Sequence, residues 1–398
     1  MRRAAMLKQK TVIKVAMLTT LTLSVFAGSI SYVSAGIREQ AKRIHDRLAG
    51  VPPSASVLDA MENDIATGGV SGLEIAAYRA MENSAFYNVT LKNFVTPWTN
   101  KDQTVFAPLN DYTATVIGMV RDDEPFNTVL SADVLYIGSS SGLPAYSMSN
   151  NNHYQALEDQ GVDLKTDLVK MTQSGLTTLP ASATAGVLTT RAGAEAFFFA
   201  GTNRAMLRFT MLNHLCNDLE QVKDITRPPD RIRQDVSRSP GGDSRIFLNS
   251  CIGCHSGMDA LAGAFAYYEW DDNAAQLVYT QGNVQGKHLI NADNFKYGYV
   301  TTDDSWINYW RNGQNALLGW DGLLPGQGNG AKTLGEELGN TDAFAECQVT
   351  KVFRTVCLRE PGNPLDRTQL AQMASNFKAN SYKMKQVFAE AAVYCRGD

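Results

Sequence analysis

Residues 37–49, IREQAKRIHDRLA, set the pattern that decides the fold class. Ile37, Ala41, Ile44 and Leu48 recur at intervals of three and four, which places them on one face of an α-helix. The next segment repeats the pattern at Leu58, Met61 and Ile65, with prolines and Ser54 before it and Gly68-Gly69 after it. Proline suits the first turn of a helix and glycine its exit, so this bracketing predicts a second helix.

Helical spacing continues through most of the chain, and long alternating strand patterns are scarce. The sequence therefore predicts a mainly α-helical protein, made of one large helical domain or several, with long loops. We expect a loop at 139–152, which is rich in Ser, Gly and Asn, and a hinge at 319–335, which holds six glycines. These breaks suggest three regions: 36–137, 138–318 and 319–398. The further helical windows are 84–95, 110–121, 164–171, 193–219, 342–356, 368–377 and 381–393.

The N-terminus resembles a secretory signal rather than part of the fold. Residues 1–14 are basic, residues 15–28 form a short apolar run, and Val33-Ser34-Ala35 has the small residues that signal peptidase accepts. The alternative is an uncleaved anchor, which the apolar run is too short to favour, since a span needs about 20 residues. We expect residues 1–35 to be a signal peptide and the mature protein to be periplasmic or otherwise exported, without a transmembrane span.

Charge argues against nucleic-acid binding. The 398 residues carry 36 basic and 40 acidic side chains, and five of the basic ones lie in the first 35 residues, where there are no acids. The remaining chain is therefore acidic overall and would repel a phosphate backbone.

Residues 249–259, NSCIGCHSGMD, carry the chemistry. CxxCH is the attachment site of a c-type haem: Cys251 and Cys254 would add to the two haem vinyl groups, and His255 would become the proximal iron ligand. Three alternatives stay open, namely a thioredoxin-like redox pair, a zinc site and a simple disulfide. The first lacks a βαβ setting, the second lacks further ligands, and the third leaves His255 idle. The sequence predicts one haem c.

The sixth iron ligand is an open choice. Met258 is three residues after His255, on the same side of the ring, and cannot easily cross to the other face. Other candidates are His288, Met206, Met211 and His214, although the methionines equally suit a buried helix face and His288 a solvated loop.

Four cysteines remain, and an even number in an exported protein favours two disulfides. Cys347 and Cys357 lie ten residues apart in one predicted helix, about 15 Å at 1.5 Å per residue, too far to bond. From antiparallel packing of the C-terminal helices we expect Cys347–Cys395 and Cys216–Cys357. Free buried thiols are the alternative.

Two further groups flank the motif. Arg227, Arg231, Arg233 and Arg238 precede it and could hold haem propionates or an acidic redox partner, or simply line a solvated loop. Trp306, Tyr309, Trp310 and Trp320 follow it and could line a haem crevice or a sugar groove, or pack in the core.

The motif and its flanks resemble the planctomycete-type cytochrome-domain family, large exported proteins with one c-type haem motif. The resemblance covers about half the chain and implies a helical scaffold with haem attached at Cys251, Cys254 and His255; it implies no substrate. Unlike that family, this chain has no proline after Asp259. The similar segments are 185–189, 203–204, 251–259, 264–271 and 347–353, with Phe377, Tyr382 and Phe388.

Three functions are compatible with these features. The first is an electron-transfer cytochrome that exchanges electrons with a redox partner protein or a small-molecule oxidant or reductant. The second is a peroxidase- or oxygenase-like enzyme with an open sixth position, and the third is a binding or scaffold protein with a structural haem. Residues 36–398 far exceed what a single-haem carrier needs, which keeps the enzyme possible. No spacing assigns catalytic residues.

Overall fold

The computed structural model of the chain describes residues 35–199, 201–289 and 295–397. Helices account for 58% of the residues and strands for 7%, which confirms the mainly α-helical prediction. The predicted signal peptide, 1–35, lies outside the described residues except for Ala35. The eleven longest helices described are α1 (Ile37–Ala49), α2 (Ala55–Met81), α3 (Asp111–Arg121), α4 (Asn152–Asp159), α5 (Arg191–Phe197), α6 (Arg204–Leu215), α7 (Ile252–Ala262), α8 (Gly330–Gly339), α9 (Asp342–Cys357), α10 (Pro364–Ala379) and α11 (Met384–Tyr394).

Short helical segments connect these helices. Two are π-helical, Phe86–Leu91 and Phe247–Cys251. The short α-helical turns are Lys92–Val95, Leu164–Asp167, Gln173–Leu176, Leu219–Val222 and Ser244–Ile246. The short 3₁₀ turns are Thr96–Thr99, Phe126–Thr128, Gly186–Thr189, Gly201–Asn203, Pro240–Gly242, Gly263–Phe265, Gly286–His288, Tyr309–Arg311 and Gly313–Leu318.

The strands of the described residues form three separate antiparallel pairs. Strand β1 (Leu135–Gly138) pairs with β2 (Leu168–Met171), with Leu135 opposite Met171. Strand β3 (Tyr268–Asp271) pairs with β4 (Gln276–Tyr279), and β5 (Ser305–Ile307) pairs with β6 (Gln327–Asn329).

Local signals set the helix starts where they were predicted. The Ser54 hydroxyl accepts a hydrogen bond from the amide of Val57, and the Asn110 side chain accepts one from Thr113. Both are N-caps that satisfy amides without an intrahelical partner. The predicted end of the second helix is wrong, because α2 is interrupted at Gly69, where φ is +56°, and then continues to Met81.

Tertiary contacts overrode three other predictions. Window 164–171 is helical only to Asp167, because Leu168–Met171 pair with β1. Window 193–219 is broken between α5 and α6, where Thr202 and Asn203 adopt left-handed backbone angles. The segment 319–335, predicted as a hinge, contains β6 and the first residues of α8. Residues 139–151 form neither helix nor strand, as expected.

One cluster of buried apolar side chains extends from Ala41 in α1 to Ala392 in α11. The first helices pack on the last ones, since α11 contacts both α1 and α2. Helix α9 contacts α6, α10 and α11, while α6 also contacts α7, the helix that carries the motif. The motif helix is thus attached to the core through α6.

Two disulfides are present, but the predicted pairing is wrong. Cys216, at the end of α6, bonds to Cys347 in α9, and Cys357, at the end of α9, bonds to Cys395 after α11. Cys347 and Cys357 lie at different positions along the axis of α9. Each therefore bonds to the cysteine that packs at its own position along the helix. The predicted bridge Cys347–Cys395 would have required the end of α11 to reach the early part of α9.

Candidate functional site

The motif lies where a π-helical turn passes into an α-helix. Cys251 is the last residue of the turn, and Cys254 and His255 lie in the first turn of α7. Positions i, i+3 and i+4 share one side of a helix, so the three side chains lie next to one another. All three are partly exposed, His255 with 20% of its side chain accessible.

The two motif cysteines are thiols in a chain whose other four cysteines are bonded. The Cys254 thiol donates to the carbonyl oxygen of Leu219 at 3.5 Å, and burial raises its pKa, with a further contribution from Glu220. A disulfide between Cys251 and Cys254 is therefore not formed. In the described part of the chain no three His, Cys, Asp or Glu side chains lie close enough to hold a metal ion.

His255 is oriented by a carboxylate on its own helix. Its Nδ1 lies 3.2 Å from both oxygens of Asp259, four residues later. An ionised carboxylate only accepts hydrogen bonds, so Nδ1 is the donor in this contact. Nε2 makes no hydrogen bond with a described residue, and this is the atom that a haem iron would take.

Asp259 is buried and ionised. Burial by itself raises the pKa of this carboxyl, but the charges of Arg204 and Arg233, together with hydrogen bonds from His255 and Arg204, hold it well below its usual range. Arg204 donates from Nε at 2.7 Å and from Nη2 at 3.1 Å, and the Arg233 amide donates at 3.3 Å. Asp235 holds the other side of the Arg204 guanidinium at 2.8 and 2.9 Å. The carboxylate is therefore fixed from three sides.

Exposed apolar side chains lie beside the motif, together with the charged Glu220 and Lys223. Ile225, which lies against Gly253, is 72% exposed, and Leu248, three residues before Cys251, is 57% exposed. Phe247, Ile232 and Val236 form a small buried cluster on which Cys251 and Ile252 pack. This is the chemistry that the face of a porphyrin requires.

One cation beside this surface, Arg238, stacks on two aromatic rings. The Arg238 guanidinium lies 4.3 Å from the Phe247 ring centre and 3.8 Å from that of Phe295, and it forms no ion pair with a described residue. Phe247 in turn lies 6.1 Å from the His255 ring. The two thiols, the free imidazole nitrogen, the apolar surface and this cation together fit a haem with its propionates.

The other arginines predicted to hold propionates are occupied. Arg227 pairs with Asp224 at 3.1 Å, and Arg231 stacks on Tyr299 at 4.6 Å. Arg233 is buried against Asp259 and His288. Of the four, Arg231 and Arg238 form no ion pair with a described residue, and Arg238 is the one that lies against Phe247 beside the motif.

The candidate sixth ligands are held by other partners. Met206 and Met211 are buried in the main core, and the Nε2 of His214 lies 2.7 Å from the Tyr112 hydroxyl. Arg233 Nη1 lies 3.2 Å from His288 Nδ1, and because a guanidinium only donates, that nitrogen accepts and the His288 proton lies on Nε2. Burial, followed by the charge of Arg233, lowers the pKa of His288 to about 2, so the ring is neutral.

The aromatic group after the motif belongs to the core. Trp306 and Trp310 are buried, and Trp320 donates from Nε1 to the Trp310 carbonyl. Tyr309 donates to Asp230 at 3.0 Å. Trp310 packs directly on Gly257 of the motif helix.

The sequence reasoning assigned no role to Asp259, Arg204 or Asp235. The spacing of Asp259, four residues after His255, could have indicated its contact. Arg204 and Asp235 are distant in sequence from the motif, and no local signal indicates them.

No family model, curated protein or solved structure matches this chain. Within the described residues, no helix is long and apolar enough to cross a membrane. The resemblance to the planctomycete-type cytochrome-domain family stays a prediction that rests on the motif and its flanks.

Proposed function

We propose that the chain is an exported mono-haem c-type cytochrome that transfers single electrons. Cys251 and Cys254 would hold the haem through thioethers, and His255 would bind the iron through Nε2. The observation that carries this proposal is that two free thiols and an imidazole nitrogen, which makes no hydrogen bond with a described residue, lie side by side on a partly exposed turn. A haem held in this way accepts and releases one electron at a time.

The surface position of the motif favours electron transfer over buried catalysis. Electron exchange needs a cofactor close to the surface. The exposed side chains of Ile225 and Leu248 would cover one part of the haem and leave its side at the motif accessible. Arg238 supplies a cation for a propionate. The partner would be a redox protein or a small oxidant or reductant that docks at this apolar surface.

A second candidate is a haem enzyme with an open sixth position. It is favoured by one observation, namely that His288, Met206, Met211 and His214 are all held by other residues. The buried positions of Trp306 and Trp310 argue against it, because neither indole lines an open position beside the motif.

Covalent haem is tested by export together with a c-type maturation system. We expect a haem-stained band that survives a denaturing gel, and its loss in the Cys251→Ser, Cys254→Ser double variant. The matched control is Cys357→Ser, Cys395→Ser, which removes the same number of sulfurs and keeps the motif. A colourless wild-type band would overturn the proposal.

The stained protein then separates the two functions. After reduction with dithionite, an electron carrier should bind carbon monoxide slowly or incompletely, because an iron ligand must first be displaced. Fast stoichiometric binding to a high-spin ferrous haem would reject the carrier and favour the enzyme.

A further inference from the structure

We propose that Asp259 is a positioning residue that fixes the orientation of His255 and lowers the reduction potential of the haem that it binds. This inference rests on the proposed haem attachment. It goes beyond it by assigning a role to a residue outside the CxxCH pattern and a direction to the potential.

The contact is fixed by secondary structure and burial. His255 and Asp259 are four residues apart in α7, and the side chain of Asp259 has no accessible surface. Both carboxylate oxygens lie 3.2 Å from Nδ1, so a small rotation of the ring does not break the contact. The imidazole is thereby held by Nδ1, while Nε2 makes no hydrogen bond with a described residue.

The carboxylate is itself held in place. Arg204, the first residue of α6, donates two hydrogen bonds to it, and the Arg233 amide donates a third. A metal-binding histidine commonly donates its second ring nitrogen to such a partner, which makes the ligand more basic. Asp259 and the residues that hold it come from three segments that are distant in sequence. Burying these charged groups costs free energy, which is hard to explain for a residue without a role.

The expected electronic effect has a definite sign. A carboxylate that accepts the Nδ1 proton increases the electron density at Nε2, and a more basic ligand stabilises ferric iron over ferrous iron. Arg204 and Arg233 offset part of the negative charge, so the effect is smaller than that of an unpaired carboxylate. The potential should nevertheless lie below that of the same haem with a neutral partner at position 259.

The test compares two substitutions that remove the same charge. Asp259→Asn removes the carboxylate that accepts from His255, whereas Asp235→Asn removes the other carboxylate bound to Arg204 and leaves Asp259 in place. We expect Asp259→Asn to raise the midpoint potential of the haem by about 59 mV. For one electron this shift changes the ferric-to-ferrous ratio at a fixed ambient potential about tenfold. Asp235→Asn should change it much less, and Asp259→Glu should restore most of the difference.

A second measurement covers the case in which Asp259→Asn does not fold. In the ¹⁵N-histidine-labelled wild-type protein, the Nδ1 proton of the iron-bound histidine should resonate far downfield, as expected for a carboxylate acceptor. Equal potential shifts in the Asp259 and Asp235 variants, or an ordinary Nδ1 proton resonance, would overturn the inference while the haem stain persists. Absence of stain in the wild type would instead overturn the proposed function.

Discussion

Two histidines of the chain illustrate how one proton decides the role of a residue. His255 donates a hydrogen bond from Nδ1 to Asp259, and its Nε2 makes no hydrogen bond with a described residue. His288 accepts at Nδ1 from Arg233 and therefore carries its proton on Nε2. The first can bind iron and the second cannot without losing its contact with Arg233.

We therefore predict that the two histidines respond differently to substitution. His255→Ala should alter the Soret band and the EPR spectrum and make the haem more labile, while the thioethers remain. His288→Gln, whose amide oxygen can still accept from Arg233, should leave both spectra unchanged. Visible and EPR spectra of the two purified variants measure this. A changed spectrum in His288→Gln would identify His288 as the sixth iron ligand, one of the candidates that the sequence leaves open.

At the scale of elements, the motif helix depends on one close approach. A Cβ at Gly257 would lie 2.0 Å from Trp310 Nε1, and Trp310 is fully buried. Either the helix or the indole must move to admit a methyl group, and overpacking of this kind costs about 1–3 kcal/mol.

Gly257→Ala should thus lower the free energy of unfolding by about 1–3 kcal/mol. Urea unfolding followed by circular dichroism measures this. Gly322→Ala is the matched control, because nothing lies within 4 Å of a Cβ at that position and its backbone angle is not left-handed. A Gly257→Ala variant as stable as the control would show that α7 does not pack on Trp310 as described.

At the scale of the whole molecule, the disulfides join helices that are remote in sequence. Cys216–Cys347 spans 131 residues and Cys357–Cys395 spans 38. Loops of these lengths correspond to about 5 and about 4 kcal/mol of lost chain entropy in the unfolded state. Both bonds involve α9, which contacts α6, α10 and α11.

We expect unreduced peptide mapping to recover Cys216 with Cys347 and Cys357 with Cys395. Reduction should lower the midpoint of thermal unfolding, since the unfolded chain regains that entropy. Recovery of Cys347 with Cys395, or of four free thiols, would contradict the arrangement of α9 and α11.

The sequence by itself was sufficient to predict what depends on local chemistry. Apolar spacing predicted α1 and α3, and the prolines with Ser54 predicted where α2 begins. These features follow from backbone hydrogen bonding within a few residues. The CxxCH pattern predicted haem attachment in the same way, because the spacing of the two thiols is itself the chemical requirement; that attachment stays a prediction.

Only the tertiary structure decided what depends on residues that are far apart in the chain. Four cysteines can pair in three ways, and the relative positions of α6, α9 and α11 select one of them. The strand at Leu168–Met171 replaced a predicted helix because β1 offers it a hydrogen-bonding partner. Arg204 came to the motif through the contact of α6 with α7, and Asp235 through its bonds with Arg204, which no local pattern encodes. The physical reason is that local periodicity specifies which face of a helix is apolar, whereas the choice of the partner that covers that face is made by packing of the whole chain.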